Sequence, residues 1–249
     1  MSQYDTRTTA FSQEGRIYQL EYAAEAINSA SVSFGFLTQQ GVILAALKSN
    51  SSPLLDEALY RDKIYVVDAR TLCCMAGWSA DGSVLLQMAR ESAQDYFRTM
   101  NACMPTELLV SQICRVKHYY TQYNSLRPFG VSFLFAGYDD SNKLQLYLTD
   151  PAGNESSWNV IAIGQNNQTV QKIFGDYWKP DLTLEQGLDL ACRILKTVST
   201  DPDKNAVQAE IGVVCVQDGR AVHRLLPAQE VHALIAKAQM IDDQSYRKM

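Results

Sequence analysis

Residues 16–47, RIYQLEYAAEAINSASVSFGFLTQQGVILAAL, change period half-way along, and that change decides the fold. Ile17, Leu20, Ala24 and Ile27 recur at steps of three and four, which puts them on one stripe of an amphipathic helix over about 16–28. From Val32 onward the pattern alternates instead, with Val32, Phe34 and Phe36 separated by small or polar residues, as in a strand. Gln39-Gln40-Gly41 supplies a turn, and the apolar run Val42–Leu47 completes a hairpin.

The same reading extends to the rest of the chain. Short strands are predicted at Ile64–Val67 and Thr71–Ala76, the second ending at Gly77 before a long helix over about Ala80–Thr99. Pro105 opens another helix that runs to about Tyr123. Strands at Val131–Tyr138, Leu144–Thr149 and Trp158–Ile163 are followed by helices at Thr169–Tyr177 and Thr183–Ser199, the latter started by the capping-box spacing of Thr183 and Gln186. Strands at Glu210–Val216 and Ala221–Leu225 precede a last helix over about Ala228–Met240. Strands that follow strands and helices that follow helices predict an α+β fold of antiparallel sheets covered by helices, because a parallel sheet needs alternating βαβ units. No linker or internal repeat divides the 249 residues, so one domain is expected.

Hydrophobic residues make up 47% of the chain and charged residues 20%, which excludes a disordered chain or a small disulfide scaffold. A net charge of -5 with no basic run argues against nucleic acid or an anionic membrane as partner. No stretch approaches the ~18 uninterrupted apolar residues of a membrane span, and the first residues lack the apolar core of a secretion signal. Cys73, Cys74, Cys103, Cys114, Cys192 and Cys215 lie in apolar runs without a CxxC pair and are expected as buried free thiols.

Candidate chemistry is sparse. Gly77-Trp78-Ser79-Ala80-Asp81-Gly82 stands where a strand meets a helix, the place of a serine nucleophile, but its second glycine comes one residue too late for the G-x-S-x-G elbow. Ser79 is therefore expected as a helix N-cap. Cys114 and His118, four apart on a helix, could share a face as ligands, but the chain has three histidines and no third ligand nearby, and the pair is read as core. Asp139-Asp140 beside Ser141-Asn142 reads as a hairpin turn. No phosphate-binding glycine motif occurs, and no cofactor or metal is expected.

Tyr4-Asp5-Thr6-Arg7-Thr8-Thr9-Ala10-Phe11-Ser12-Gln13-Glu14-Gly15-Arg16-Ile17-Tyr18-Gln19-Leu20-Glu21-Tyr22-Ala23-Ala24-Glu25-Ala26 closely resembles the N-terminal signature of proteasome alpha subunits. The resemblance continues through Lys63-Ile64, Tyr120-Thr121-Gln122-Tyr123, Arg127-Pro128-Phe129-Gly130-Val131-Ser132, Asp150-Pro151-Ala152-Gly153 and Ile163-Gly164. Tyr4–Thr9 and Leu54-Leu55-Asp56-Glu57 narrow it to one branch of those subunits. It implies a four-layer αββα sandwich, the N-terminal-nucleophile hydrolase fold, with a gate tail over 1–13, an extension helix over 16–28, the sandwich over 31–240 and a polar tail over 241–249.

The resemblance also implies a role in assembly and no catalysis. In catalytic beta subunits a free N-terminal threonine acts as nucleophile and its own amine as base. The position aligned with it is Ser31, whose nitrogen lies within the chain; Leu47 falls where an acidic residue helps position that site, and Lys63 falls on its lysine. The implied partners are other alpha subunits in a heteroheptameric ring, beta subunits, and regulatory-particle ATPases or other activators; the implied location is cytoplasm and nucleus.

By the same resemblance Tyr4, Asp5 and Tyr22 match the cluster that orders the gate tails, with Gln13 standing where proline is usual. Lys63 matches the lysine that binds activator C-terminal carboxylates, and Trp78 a wall of that pocket. The alternative for Lys63 is a local ion pair with Asp62 or Asp68. The alternative for the first helix is that it only covers its own core.

Overall fold

The computed structural model describes residues 10–48, 62–123, 127–140, 143–199, 207–217, 220–238 and 241. The first helix, α1 (Tyr18–Asn28), ends where Ser33 begins β1 (Ser33–Leu37), and β2 (Gly41–Leu47) returns beside it as the expected hairpin. Then follow β3 (Ile64–Val66), β4 (Thr71–Gly77), α2 (Ser79–Met100), α3 (Thr106–Gln122), β5 (Val131–Asp139) and β6 (Lys143–Thr149). The second half adds β7 (Glu155–Ser157), β8 (Val160–Ile163), α4 (Asn167–Tyr177), α5 (Leu184–Val198), β9 (Ala209–Gln217), β10 (Arg220–Leu225) and α6 (Ala228–Lys237).

The strands form two five-stranded antiparallel sheets, ordered β10-β9-β2-β1-β8 and β3-β4-β5-β6-β7. One apolar layer lies between them, with Val42, Leu44, Leu72, Cys74, Leu134 and Leu146 buried in it. A second joins the outer face of the first sheet to α4, α5 and α6, where the Phe34 and Phe36 rings meet Phe174 at 5.7 and 5.0 Å. A third joins the other sheet to α2 and α3 through Cys73, Met75, Phe133, Phe135 and Ile113. Helix, sheet, sheet and helix layers are the expected αββα sandwich. The alternation in β1 is thus one of size, and both faces of the strand are covered. A Cβ on Gly35 would lie 2.8 Å from Leu44 Cδ2 and 3.1 Å from Leu146 Cδ1, so glycine lets the sheets approach there.

Several expectations are corrected. The strand predicted over Trp158–Ile163 is only Val160–Ile163, and Trp158 and Asn159 form the link to it from β7 in the opposite sheet. Trp158 N still donates to Leu146 O (2.9 Å), whereas Asn159 O already accepts from Leu37 N (2.8 Å). An apolar run carries no mark of such a crossing. Helix α2 begins at Ser79 with Trp78 as its N-cap, so Ser79 is not the cap. Of the Cys114–His118 pair only Cys114 is core; His118 is exposed, its Nδ1 3.4 Å from Ala152 O. Five cysteines are buried and free, and Cys103 is only half-buried. The capping box of Thr183 and Gln186 is present with both bonds, and Asp139 and Asp140 do stand at the β5–β6 turn.

Candidate functional site

Two features stand out among the described residues. The first is polar and half-buried. Ser31 lies just before β1 and Lys63 just before β3, in different sheets, and the Lys63 ammonium donates to Ser31 O (2.6 Å) and Ser31 Oγ (2.8 Å). Burial pulls the Lys63 pKa down from 10.5 to about 8, against the opposing pull of Cys74 and Glu210. At that value most of Lys63 is ammonium at neutral pH, and the ammonium donates to the Ser31 hydroxyl. Ala30 O, just before Ser31, accepts from Gln165 N (2.7 Å). Leu47, at the end of β2, packs on the helix side of the first sheet and brings no carboxylate.

A carboxylate does come from β9. Glu210 Oε2 accepts from the backbone N–H of Lys63 (2.9 Å) and of Ile64 (3.0 Å). Its other oxygen pairs with the Lys48 ammonium, which also reaches Asp62 at 3.2 Å. Asp62 thus faces Lys48, and Asp68 accepts from Arg70 N (2.8 Å); neither supplies the local ion pair considered for Lys63.

The second feature is an apolar groove of about 240 Å³ between α1 and the start of α2, lined by Tyr22, Ala23, Ala26, Trp78, Arg127 and Pro128 among others. Trp78 is 63% exposed and Tyr22 49%. Gly77 (φ +122°) makes the turn; a Cβ there would lie 2.1 Å from Gly130 O. Trp78 N in turn donates to Gly130 O at 2.9 Å. Beneath, Asp81 accepts from both Arg127 terminal nitrogens (2.6 and 2.7 Å) and from Gly130 N (2.9 Å). Lys117, wholly buried, donates to Val131 O (3.0 Å) and Thr149 Oγ1 (2.8 Å). Segment 127–131 is therefore pinned from three sides.

Of the residues singled out by resemblance, Tyr22 and Trp78 share this groove, whereas Lys63 lies with Ser31 and does not line it. Tyr4 and Asp5 lie outside the described residues. Sequence reasoning gave no site role to Glu210, Asp81, Arg127 or Lys117. No group of metal-ligating side chains occurs among the described residues.

The proteasome subunit family model matches residues 27–216, and the model of the N-terminal signature of A-type proteasome subunits matches residues 4–26. The chain belongs to the proteasome subunit family, as an alpha-type member. It is 40% identical over 239 residues to the alpha type-4 proteasome subunit of Dictyostelium discoideum, covering 95% of this chain and 96% of that one. It is 41% identical over 219 residues to the alpha type-4-A proteasome subunit of Arabidopsis thaliana, covering 88% of each. It is 38% identical over 244 residues to a probable alpha type-3 proteasome subunit of Schizosaccharomyces pombe, covering 97% and 98%. Many of its relatives are named alpha type-4, the branch that Tyr4–Thr9 and Leu54–Glu57 indicated. In this alpha-type chain the polar cluster holds a lysine, a hydroxyl and a carboxylate, and the carboxylate binds backbone N–H groups.

Proposed function

We propose that this chain is a non-catalytic member of a heteroheptameric alpha ring stacked on the beta rings of the proteasome core particle. In this reading it scaffolds those rings and takes part in the substrate-entry gate and in activator docking, for ubiquitin-dependent and ubiquitin-independent protein degradation in cytoplasm and nucleus. The observation that carries it is the Ser31–Lys63 contact. With Ala30 joined to it, the Ser31 nitrogen is an amide and lacks the free amine that serves as base in N-terminal-nucleophile chemistry, and Lys63 donates to the serine hydroxyl.

Lys63 supports the docking part of the reading. An ammonium offers three N–H groups, and among the described residues Ser31 takes two of them, leaving one for the terminal carboxylate of an activator. Tyr22, half-exposed in the groove beside Trp78, supports the gate part, with Tyr4 and Asp5 as its partners in the ordered tails. Gln13 sits in a turn closed by Gly15 N to Ser12 O (2.9 Å) and Arg16 N to Ser12 Oγ (3.1 Å), a turn made without the proline usual there.

Native mass spectrometry of the chain purified at its endogenous level tests the assembly reading. The expected result is a large particle holding the full-length chain with many different subunits of similar size. A monomer, or a small homo-oligomer lacking the first thirty residues, would overturn it in favour of an N-terminal-nucleophile hydrolase matured before Ser31.

A further inference from the structure

We infer that Glu210 is the positioning residue of the carboxylate-binding pocket, holding Lys63 where its ammonium can meet a peptide's terminal carboxylate; this rests on the docking role proposed above for Lys63. Both backbone polar groups of Lys63 are tied. Its N–H and that of Ile64 both end on Glu210 Oε2, and its carbonyl accepts from Met75 N at 3.1 Å. Lys63 precedes β3, an edge strand of one sheet, while Glu210 belongs to β9 in the other. The carboxylate therefore fixes the start of an edge strand from across the sandwich. Little else holds that start, because β3 pairs over only three residues, Ile64–Val66, and with β4 alone.

From this anchored backbone the Lys63 side chain reaches Ser31, whose hydroxyl accepts from the ammonium and keeps its own proton for a ligand. An incoming carboxylate thus meets one N–H from Lys63 and the O–H of Ser31. Lys48 has a different task. Its ammonium balances the charge of Glu210 and leaves Oε2 to the two amides. Glu210 never touches the ligand. It acts through Lys63 alone.

Variants in the assembled core particle test the inference. The probe is a peptide carrying a photoreactive residue next to its C-terminal carboxylate, compared with the same peptide ending in an amide, and the readout is crosslinking to this chain. Native mass spectrometry confirms that each variant is incorporated. Lys63→Ala is expected to abolish the difference between the two peptides. Glu210→Asp keeps the charge facing Lys48 but is one methylene too short for both amides, and is expected to weaken crosslinking of the carboxylate peptide roughly tenfold without affecting the amide peptide. Glu210→Gln combined with Lys48→Met, so that no ammonium faces the new NH2 while the amide oxygen accepts from both N–H groups, is expected to retain most of it. That order, glutamine above aspartate, follows reach rather than charge, and a loss of general stability would not produce it. If Glu210→Asp matches the wild type while Lys63→Ala loses the carboxylate preference, the inference is overturned and the docking role of Lys63 stands. If Lys63→Ala keeps the preference, the docking role falls and the inference with it.

Discussion

Asp81 and Arg127, forty-six residues apart, meet through two parallel bonds of 2.6 and 2.7 Å, and the same carboxylate accepts from Gly130 N at 2.9 Å. Arg127 is largely in water whereas Asp81 is buried, so most of the effect is expected from the aspartate side. Asp81→Asn is expected to cost about 1–2 kcal/mol, part of it from a weakened acceptor for the buried Gly130 N–H. The Arg127 bond, more than the Gly130 bond, holds the Asp81 carboxyl below its ordinary range. A carboxylate depressed in this way stabilises the fold above its unfolded pKa and loses that contribution as pH falls toward the folded value. Denaturant midpoints measured from pH 6 down to pH 2 are expected to fall less steeply in Asp81→Asn than in the wild type.

Lys117 gives the opposite pH signature. Burial alone lowers its pKa from 10.5 to about 7, only partly offset by Cys114 and Asp150. In the unfolded chain it gains its proton near its ordinary value, so between about pH 10.5 and pH 7 the unfolded state binds more protons, and stability falls as pH falls through that window. Raising the pH from 7 to 10 should therefore stabilise the wild type relative to Lys117→Met, as read from urea midpoints. Parallel midpoints across that range would show that the lysine keeps its charge when buried.

Two glycines should respond differently to one added methyl. In Gly35→Ala the new Cβ meets the ends of the Leu44 and Leu146 side chains, which can give way, and a cost of about 1–3 kcal/mol is expected. In Gly77→Ala it meets Gly130 O at 2.1 Å, and the residue has φ +122°, so backbone must move. The second variant should be the more damaging of the two, and should change the fluorescence of Trp78, which the first should leave alone.

Carboxylate capture by Lys63 requires its ammonium. With a pKa near 8, lowered by burial, the charged form is lost as pH rises through 8. Crosslinking of a carboxylate-ended peptide to this chain should therefore decline between pH 7 and pH 9, while that of the amide-ended peptide stays level. A level response for both would show that the ammonium survives to higher pH.

Most of the fold was legible because the helix and strand periods are clean, from Ile17–Ile27 through to the capping box at Thr183. What periodicity could not show is partition between sheets, as at Trp158 and Asn159, since an apolar run reads the same on either side of the sandwich. Of the site, Tyr22, Trp78 and Lys63 came from resemblance, and composition alone would not have selected them. Glu210 and Lys117 did leave a signal. Each is a lone charge at a position whose neighbours at strand or helix spacing are buried, Gly212 and Val214 on β9, and Ile113, Cys114 and Thr121 on α3. A charge in such company needs a partner. That partner, whether Lys63 N–H or Thr149 Oγ1, is set by tertiary contact and cannot be read along the chain.

The crossing at Trp158 and Asn159 has a mechanical meaning. Sliding one sheet over the other by a single residue is a displacement of about 3.3 Å. Adjacent residues there are bonded to opposite sheets, Trp158 N to Leu146 O and Asn159 O to Leu37 N, so such a slip would strain both bonds together. These two bonds add to the packed apolar layer between the sheets in resisting shear, which favours passing a push on α2 and α3 on to α4, α5 and α6.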